Sequence, residues 1–272
     1  MLRMHEAHAR LDVTSLGGHV TVHLIRPAVG RGDLQYRVRL SEAAGTDEPA
    51  IVLIHGIGVS HRYFSRLYRH LARTRTVACI DLPGFGGVSK PGSDPDIVAM
   101  AAGIGEVIDA LGLDRVVLVG QSMGSQWAVE TALQRPELVS LAVAIGPVAD
   151  VAHRTALDQM RALALDTLGE PPWINAVVLV EYVLCGIPWY LTQLRHMLRY
   201  PLEDKVADLP MPLLVIQGSA DPIAGLRWCR LLRDSARSAN LAIVPGHHHL
   251  VQQSAPRAVA SAICAHEPGS TR

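Results

Sequence analysis

The chain has 272 residues, 49% of them hydrophobic and 18% charged, so it can bury a full core, and intrinsic disorder and low-complexity repeats are excluded. Lysine and arginine number 25, and aspartate and glutamate also number 25, which leaves no basic excess of the kind that nucleic-acid binders and acidic-membrane binders carry. We therefore expect neither a nucleic-acid partner nor a membrane partner.

The lack of a recognisable secretory signal or membrane span, and the wide spacing of the cysteines, lead us to expect a cytoplasmic protein. The first ten residues include Arg3, Glu6 and Arg10 and no apolar core, which argues against a secretory signal. No predominantly apolar stretch reaches the roughly 18 residues that a membrane span needs. The four cysteines are far apart with no C-x-x-C pair, which disfavours a disulfide framework or a zinc knuckle. We predict no bound metal and no cofactor.

Two kinds of strand pattern follow in chain order. Apolar residues first alternate with polar ones, which predicts antiparallel strands with one wet face, at Val20, Val22 and Leu24 and then at Leu34, Tyr36, Val38 and Leu40. Continuous apolar runs follow at residues 50–54, 77–80, 116–119 and 213–216. Runs of this kind are typical of strands that are buried on both faces, so they predict a parallel sheet.

Helical periodicity separates these runs, which indicates an α/β doubly wound sheet. One helix is predicted after Asp94 and Pro95, from apolar residues at Ile97, Ala101, Ile104, Ile108 and Leu111. About 65 residues of helical pattern separate the strand ending near Ile145 from the one starting near Leu213. We expect a helical cap over residues 148–208, inserted into a core domain of residues 1–147 and 209–272. Its middle portion, residues 173–184, is apolar on nearly every side and is therefore expected to be covered on two sides.

The most informative segment is Gly120-Gln121-Ser122-Met123-Gly124, between a buried strand and a helical pattern. A G-x-S-x-G in this position is typical of a nucleophile elbow, in which the glycines allow a strained turn that lifts the serine hydroxyl out of the sheet. The alternative, a chance pentapeptide in a loop, does not explain the strand before it and the helix after it. The sequence therefore predicts Ser122 as a nucleophile.

A serine hydroxyl needs a base to take its proton and a third group to orient that base. Asp221 follows the strand at 213–216, and His247, His248 and His249 follow the next strand. Both positions are at the carboxyl ends of strands, where open α/β sheets bind ligands. The pattern predicts that Ser122, an acid and a histidine meet at one edge of the sheet.

These features together resemble the α/β-hydrolases that bear a cap, a group that includes esterases, carbon-carbon bond hydrolases, haloalkane dehalogenases and epoxide hydrolases. The resemblance extends from about residue 20 to about residue 266. Besides the elbow it rests on three motifs, at His55-Gly56-Ile57-Gly58, at Asp81-Leu82-Pro83-Gly84-Phe85-Gly86 and at Gly218-Ser219-Ala220-Asp221-Pro222. It implies an α/β-hydrolase fold with a mostly parallel sheet, antiparallel N-terminal strands and a helical cap insertion.

The resemblance also implies a role for individual residues. His249 takes the position of the catalytic base, with His248 the next choice, because the family pattern runs from Pro245 and Gly246 to Pro256. Asp221 is the acid, and its competitor Asp150 is expected to cap a helix instead. The main-chain N–H groups of Ile57 and Met123 are implied as the oxyanion hole. His55 is expected to be a structural histidine beneath that loop.

A serine at the elbow argues against the dehalogenases and epoxide hydrolases of this group, because those carry an aspartate there. The leading hypothesis is a serine hydrolase that cleaves an ester or related acyl bond of a small, largely apolar substrate. The alternatives are a carbon-carbon bond hydrolase of ring-cleavage products, a lyase or cyclase that reuses the site, and a ligand-binding receptor. We expect a monomer or a homodimer. The expected substrate-binding residues are Trp127, Trp173, Val180, Tyr182 and Trp189, with Tyr190 as a further candidate.

Overall fold

The computed structural model describes residues 9–15, 18–28, 33–170 and 172–268, and the expectation about a secretory signal falls mostly on residues outside these ranges. The described residues form one nine-stranded sheet in the order β1-β2-β3-β5-β4-β6-β7-β8-β9. The strands are β1 (Ala9–Ser15), β2 (Gly18–Ile25), β3 (Tyr36–Ser41), β4 (Ala50–Ile54), β5 (Val77–Asp81), β6 (Val116–Gln121), β7 (Val139–Ile145), β8 (Leu213–Gly218) and β9 (Ala239–Val244).

The sheet has an antiparallel part and a parallel part, as the two sequence patterns predicted. β1, β2 and β3 pair antiparallel with one another, and β3 pairs antiparallel with β5. The six strands from β4 to β9 are parallel. In β3, buried Tyr36, Val38 and Leu40 alternate with the half-buried Arg37 and Arg39, while all residues of β4, β5 and β6 are buried. β1 was not predicted.

Helices cover both faces of the sheet. They are α1 (Ser65–Leu71), α2 (Ile97–Ala110), α3 (Gly124–Gln134), α4 (Ala156–Gly169), α5 (Pro172–Cys185), α6 (Ile187–Arg199), α7 (Leu202–Ala207), α8 (Leu226–Ser235), α9 (Val251–Ser254) and α10 (Pro256–His266). Two apolar clusters fill the space between helices and sheet. In β4, Val52 and Ile54 belong to one cluster, and Ile51 and Leu53 belong to the other. Each central strand therefore contributes side chains to both clusters, one on each face of the sheet. This is why its sequence is apolar at every position and does not alternate with polar residues.

Helix α2 is present as predicted, but its capping residue is two positions later than Asp94, the cap that the sequence suggested. The side chain of Asp96, rather than that of Asp94, accepts a hydrogen bond from the main-chain N–H of Ala99 at 2.9 Å. This satisfies one of the N–H groups that have no partner within the first turn of a helix.

The stretch between β7 and β8 holds four helices, α4 to α7, and its described residues form no strand. We call α4, α5 and α6 the helical insert. The expectation that α5 is covered on two sides is wrong: Ile174, Glu181 and Cys185 are buried, but Val180 and Val183 on the opposite side are 55% and 73% exposed. Within the described ranges no single helix is long and apolar enough to cross a membrane, and α5 with α6 reaches that length only as a pair bent by 99°.

Candidate active site

Ser122 occupies the turn between β6 and α3 with a left-handed backbone, φ 57°. Its main-chain N–H donates to the carbonyl oxygen of Ile145 at 2.9 Å, which ties the turn to β7. The turn leaves no space for side chains at the flanking glycines: a Cβ on Gly120 would lie 2.2 Å from the carbonyl oxygen of Gly124, and one on Gly124 would lie 2.2 Å from that of Ile54. This geometry is that of a nucleophile elbow, because strain and close packing hold the serine at the strand end.

His249 and Asp221 come from the two loops that follow β9 and β8, and they meet at hydrogen-bond distance. Nδ1 of His249 lies 2.9 Å from Oδ2 of Asp221. The other carboxylate oxygen accepts from the main-chain N–H groups of Ile223 and Ala224, at 2.8 and 2.9 Å. Both side chains are buried. The carboxylate is therefore held in place from both sides and fixes the orientation of the imidazole.

Burial and charge act in opposite directions on this pair. Burial raises the pKa of the Asp221 carboxyl, but the neighbouring His249 and its hydrogen bonds lower that pKa more, so it lies below its ordinary value. Burial likewise lowers the pKa of His249, while the negative charge of Asp221 and the hydrogen bond to it raise that pKa to about 9. The carboxylate thus stabilises the imidazolium form of His249.

A cavity of about 70 Å³ lies at the carboxyl ends of the strands, beneath the helical insert, and both Ser122 and His249 line it. The core supplies further lining from the loop after β4 and the loop after β8. The helical insert supplies Asp166, Val178, Tyr182, Tyr190 and Leu194. The topology therefore brings the predicted nucleophile and the predicted base to one enclosed space.

The two residues named for an oxyanion hole lie on either side of the serine. Ile57 lines the cavity, and the preceding Gly56 is so close that a Cβ there would lie 2.9 Å from Cβ of Ser122. Met123 begins the turn into α3 and is fully buried. Neither main-chain N–H donates a hydrogen bond to another described residue. Two free donors beside a serine are what an oxyanion hole needs.

Of the five side chains expected to bind substrate, Tyr182 lines the cavity and the other four lie elsewhere. Trp127 is buried in the core, edge-on to His55 and Phe85. Trp189 is also buried and packs against Phe85 and Gly84. Trp173 and Val180 are about half exposed on the outside of α5. Aromatic and apolar residues of a helix could not be assigned to its inner or outer face from composition alone. Tyr190, the further candidate, does line the cavity.

The competing residues have other partners. The carboxylate of Asp150 accepts from the main-chain N–H of Ala152 at 2.9 Å and caps a short 3-10 turn, Val151–His153, as expected of a capping residue. His247 bonds to the hydroxyl of Ser254 at 2.8 Å. His248 packs beside Gly169 of α4, where a Cβ would lie 2.1 Å from its ring. Asp150 therefore does not take the place of Asp221 beside His249, and neither His247 nor His248 takes the place of His249 beside Asp221.

His55 supports the loop that carries Ile57. Its Nδ1 lies 2.7 Å from the carbonyl oxygen of Gly56, and its Nε2 accepts from the main-chain N–H of Leu82 at 3.1 Å. Burial lowers the pKa of this imidazole, so the neutral form with a proton on Nδ1 satisfies both contacts. The ring thereby joins the loop after β4 to the loop after β5.

Two carboxylates, one in α4 and one just after its last residue, were not identified from the sequence. Asp166 accepts from the main-chain N–H of His249 at 3.1 Å, and Glu170 accepts from that of Leu250 at 2.9 Å. Both side chains are buried, and burial raises the pKa of each. Their spacing of four residues places them one helical turn apart on the same face, and that was the available signal.

Gly146, at the end of β7, was not identified as a site residue either. Its φ is 53°, and a Cβ there would lie 3.0 Å from two ring atoms of His249 and 3.2 Å from Oδ2 of Asp221. Only glycine lets the strand end approach the pair so closely.

No group of three or more histidine, cysteine, aspartate or glutamate side chains among the described residues could hold a metal ion.

Comparisons with known proteins identify relatives of this chain. The chain is 32% identical over 190 residues to an uncharacterized protein of Mycobacterium tuberculosis H37Rv, which covers 68% of this chain and 52% of that protein. It is 38% identical over 112 residues to a fluoroacetate dehalogenase of a Burkholderia species, covering 39% of this chain and 37% of the relative. The chain thus spans about half or less of the length of these curated relatives.

Among solved structures, the enol-lactonase of Burkholderia xenovorans LB400 has the same fold with a TM-score of 0.74. The superposition covers 88% of this chain and 98% of the lactonase, at 19% sequence identity. A family model described as "Alpha/beta hydrolase family" matches residues 51–262, which contain the elbow, Asp221 and His249. The chain therefore belongs to the alpha/beta hydrolase family.

Proposed function

We propose that this protein is a serine hydrolase that cleaves an ester or related acyl bond through Ser122, His249 and Asp221. The observation that carries the proposal is the buried Asp221–His249 pair, whose imidazole shares one cavity with the strained Ser122. In this mechanism His249 takes the proton of the Ser122 hydroxyl as the oxygen attacks the acyl carbon. The main-chain N–H groups of Ile57 and Met123 stabilise the negative oxygen that forms.

The acyl-enzyme then reacts with water. His249 first returns its proton to the leaving group and next takes a proton from the attacking water molecule. The carboxylate of Asp221 remains ionised throughout and stabilises the imidazolium. The low pKa of Asp221 supports this role.

The cavity supports a small acyl group. Its volume of about 70 Å³ is several times the roughly 10–15 Å³ that a cavity needs to hold a single water molecule. Its apolar lining includes Val178, Leu194 and Met197, and polar groups such as Tyr182 and Asn175 stand among them. We therefore expect activity to rise over the first few methylenes of the acyl chain, by up to about 0.8 kcal/mol each, and then to fall.

A fluorophosphonate probe tests the nucleophile. Wild-type protein should be labelled once, at Ser122, and Ser122→Ala should not be labelled. A burst of p-nitrophenol from p-nitrophenyl acetate should accompany this, because an acyl-enzyme accumulates. Label retained on Ser122→Ala would refute the mechanism. Labelling without turnover of any p-nitrophenyl ester would favour a lyase, a cyclase or a binding function on the same fold.

A further inference from the structure

The outward face of α5 consists only of apolar side chains. Successive turns of the helix place Trp173, Ala176, Leu179, Val180, Val183 and Leu184 on that face, and all six are exposed. Leu168 of α4 and Ile187 of α6, which are 84% and 75% exposed, add further apolar surface to the helical insert. A contiguous exposed apolar surface of this kind marks a docking site for another molecule or a membrane. We call it the outer face of α5.

The exposed charged side chains of the helical insert all have one sign. Four acidic residues lie between positions 156 and 199: Asp166, Glu170 and Glu181 are buried, and Asp158, in the first turn of α4, is half-buried. Its exposed charged side chains over the same stretch are Arg161, Arg195 and Arg199, of which Arg195 is paired with Asp94 of the core. At the C-terminal end of α5, Nζ of Lys90 lies 3.1 Å from the position that a Cβ on Gly186 would take.

A groove lined by cations continues from the N-terminal end of α5. We call it the basic groove, and it is a cavity of about 210 Å³ between α1 and α10 that is lined by four arginines, Arg66, Arg69, Arg73 and Arg257, together with His70. None of these five side chains forms an ion pair with a described acidic residue. The guanidinium carbon of Arg66 lies 5.8 Å from the centre of the Trp173 ring, so the two surfaces are continuous.

We propose that the outer face of α5 and the basic groove together dock this protein on an anionic lipid surface. Apolar side chains on a helix that lies in the membrane plane enter the boundary between headgroups and acyl chains. Arginine side chains beside them pair with lipid phosphates, because their stems lie on apolar surface and their guanidinium groups reach the headgroups. Trp173, next to Arg66, is of the side-chain type that is enriched at this depth.

Charge decides between a lipid surface and a second copy of the chain. A symmetric dimer through the outer face of α5 would bring two sets of the same cations to one interface, which is repulsive. Anionic headgroups supply the opposite charge instead. The balanced net charge led us to expect no membrane partner, but that balance conceals the local segregation of the cations.

The opposite side of α5 lines the cavity through Val178 and Tyr182, so a docked membrane would lie over the helical insert and the candidate active site. The proposal concerns binding alone. It stands whether or not Ser122 is a nucleophile.

Vesicle flotation with the full chain tests the proposal. We expect the protein to float with phosphatidylcholine vesicles that contain about one-third phosphatidylglycerol, and to float far less with phosphatidylcholine alone or in high salt. Val180→Asp should lower the bound fraction at least about tenfold. Replacing Arg69 and Arg73 together by glutamine should lower the partition coefficient about fivefold for each cation, or about 25-fold for the pair.

Matched variants on other surfaces serve as controls. Val98→Asp changes an equally exposed valine of α2, and glutamine at Arg227 and Arg230 removes two exposed cations of α8, so both proteins should bind as wild type does. Thermal unfolding verifies that each variant folds, and Val183→Asp replaces Val180→Asp if the latter does not. Lack of flotation with anionic vesicles overturns the proposal, as does an equal loss in the controls. A dimer that Val180→Asp dissociates, with no vesicle binding by the wild type, also overturns it.

Discussion

The carboxylate of Asp166 accepts a hydrogen bond from the main-chain N–H of His249 at 3.1 Å. This contact joins α4 of the helical insert to the residue that stands beside Asp221. Glu170, one turn later, holds the main-chain N–H of Leu250 in the same way. The loop that positions His249 is thus held by the core through Asp221 and by the helical insert through two further carboxylates.

This arrangement predicts the pH dependence of kcat/KM. His249 accepts a proton only when neutral, and Asp221, Asp166 and Glu170 raise its pKa to about 9 against the effect of burial. Activity should therefore rise with pH and level off above about 9. Asp166→Asn keeps an oxygen that accepts the N–H but removes the negative charge, so the rise should move to lower pH. Hydrolysis of p-nitrophenyl acetate between about pH 6 and about pH 10 measures both curves.

A second variant, Asp166→Ala, distinguishes the effect of the negative charge of Asp166 from its effect on the position of His249. Asp166→Ala also removes the acceptor for the His249 N–H, so kcat should fall below that of Asp166→Asn at every pH. Unchanged pH profiles in both variants would show that Asp166 does not act on His249.

Single substitutions should distinguish the neighbouring histidines. His249→Ala should lose about 10³-fold or more in kcat, because the proton acceptor for Ser122 is removed. His248→Ala should retain activity within about threefold, since His248 lies against Gly169 and outside the Asp221 pair. The opposite ranking would show that the base is one residue earlier in the loop.

The two candidate acids should differ as sharply. Asp221→Asn should lower kcat by about 10⁴-fold, because the amide no longer favours the required tautomer of His249 and the imidazolium. Asp150→Asn keeps an oxygen that caps the turn at Ala152 and should leave kcat nearly unchanged. Steady-state kinetics on one ester provides both values. Equal losses would contradict the separate roles.

Gly146 should tolerate no side chain. Gly146→Ala adds a methyl group 3.0 Å from the ring of His249, at a backbone φ that alanine rarely adopts, so the imidazole must shift. We expect kcat to fall about 10²-fold, in line with the cost of a misplaced catalytic group. Gly92→Ala is the matched control, since nothing lies within 4 Å of a Cβ there. Normal turnover by Gly146→Ala would show that the pair has room to move.

The carboxylate of Asp81 should contribute to the stability of the fold and not to catalysis. Its buried carboxylate contacts Nδ1 of His61 at 2.9 Å, accepts from the His61 N–H at 2.7 Å, and bonds Arg39 at 3.1 Å. Burial raises its pKa, but these contacts lower it more, below the ordinary value. The carboxylate therefore stabilises the fold above the unfolded-state pKa of about 3.9, and this contribution is lost as pH falls through the lower folded-state pKa.

Asp81→Asn should lower the free energy of unfolding by about 1.5–3 kcal/mol at neutral pH, because hydrogen bonds to a charged group are lost while the remaining cations are partly exposed. Urea denaturation at several pH values measures this loss. The difference between wild type and variant should begin to shrink below about pH 4, where the carboxyl of the unfolded chain becomes protonated, and should be lost only below the lower folded-state pKa. A loss that is independent of pH would mean that packing, not charge, is responsible.

The sequence by itself determined the sheet and the chain positions of the candidate site. Strand identity and direction are local properties: β4 to β6 are apolar at every position because both faces are buried, and β3 alternates because one face is wet. The elbow at Ser122 is equally local, since two glycines and one serine within five residues specify a strained turn. The rule that parallel strands place their carboxyl ends at one edge predicted that an acid and a histidine meet Ser122, and the family resemblance selected Asp221 and His249 among the candidates.

Only the tertiary structure decided what the helical insert contributes. A helix that is apolar on every side, such as α5, has no periodicity that identifies its inner face, so Tyr182 in the cavity and Val180 outside it were indistinguishable in sequence. The contacts of Asp166 with His249 and of Gly146 with the same ring join residues that are 83 and 103 positions apart. The first contact depends on how the insert packs on the sheet and the second on how β7 approaches the loop after β9, and no local pattern encodes either arrangement.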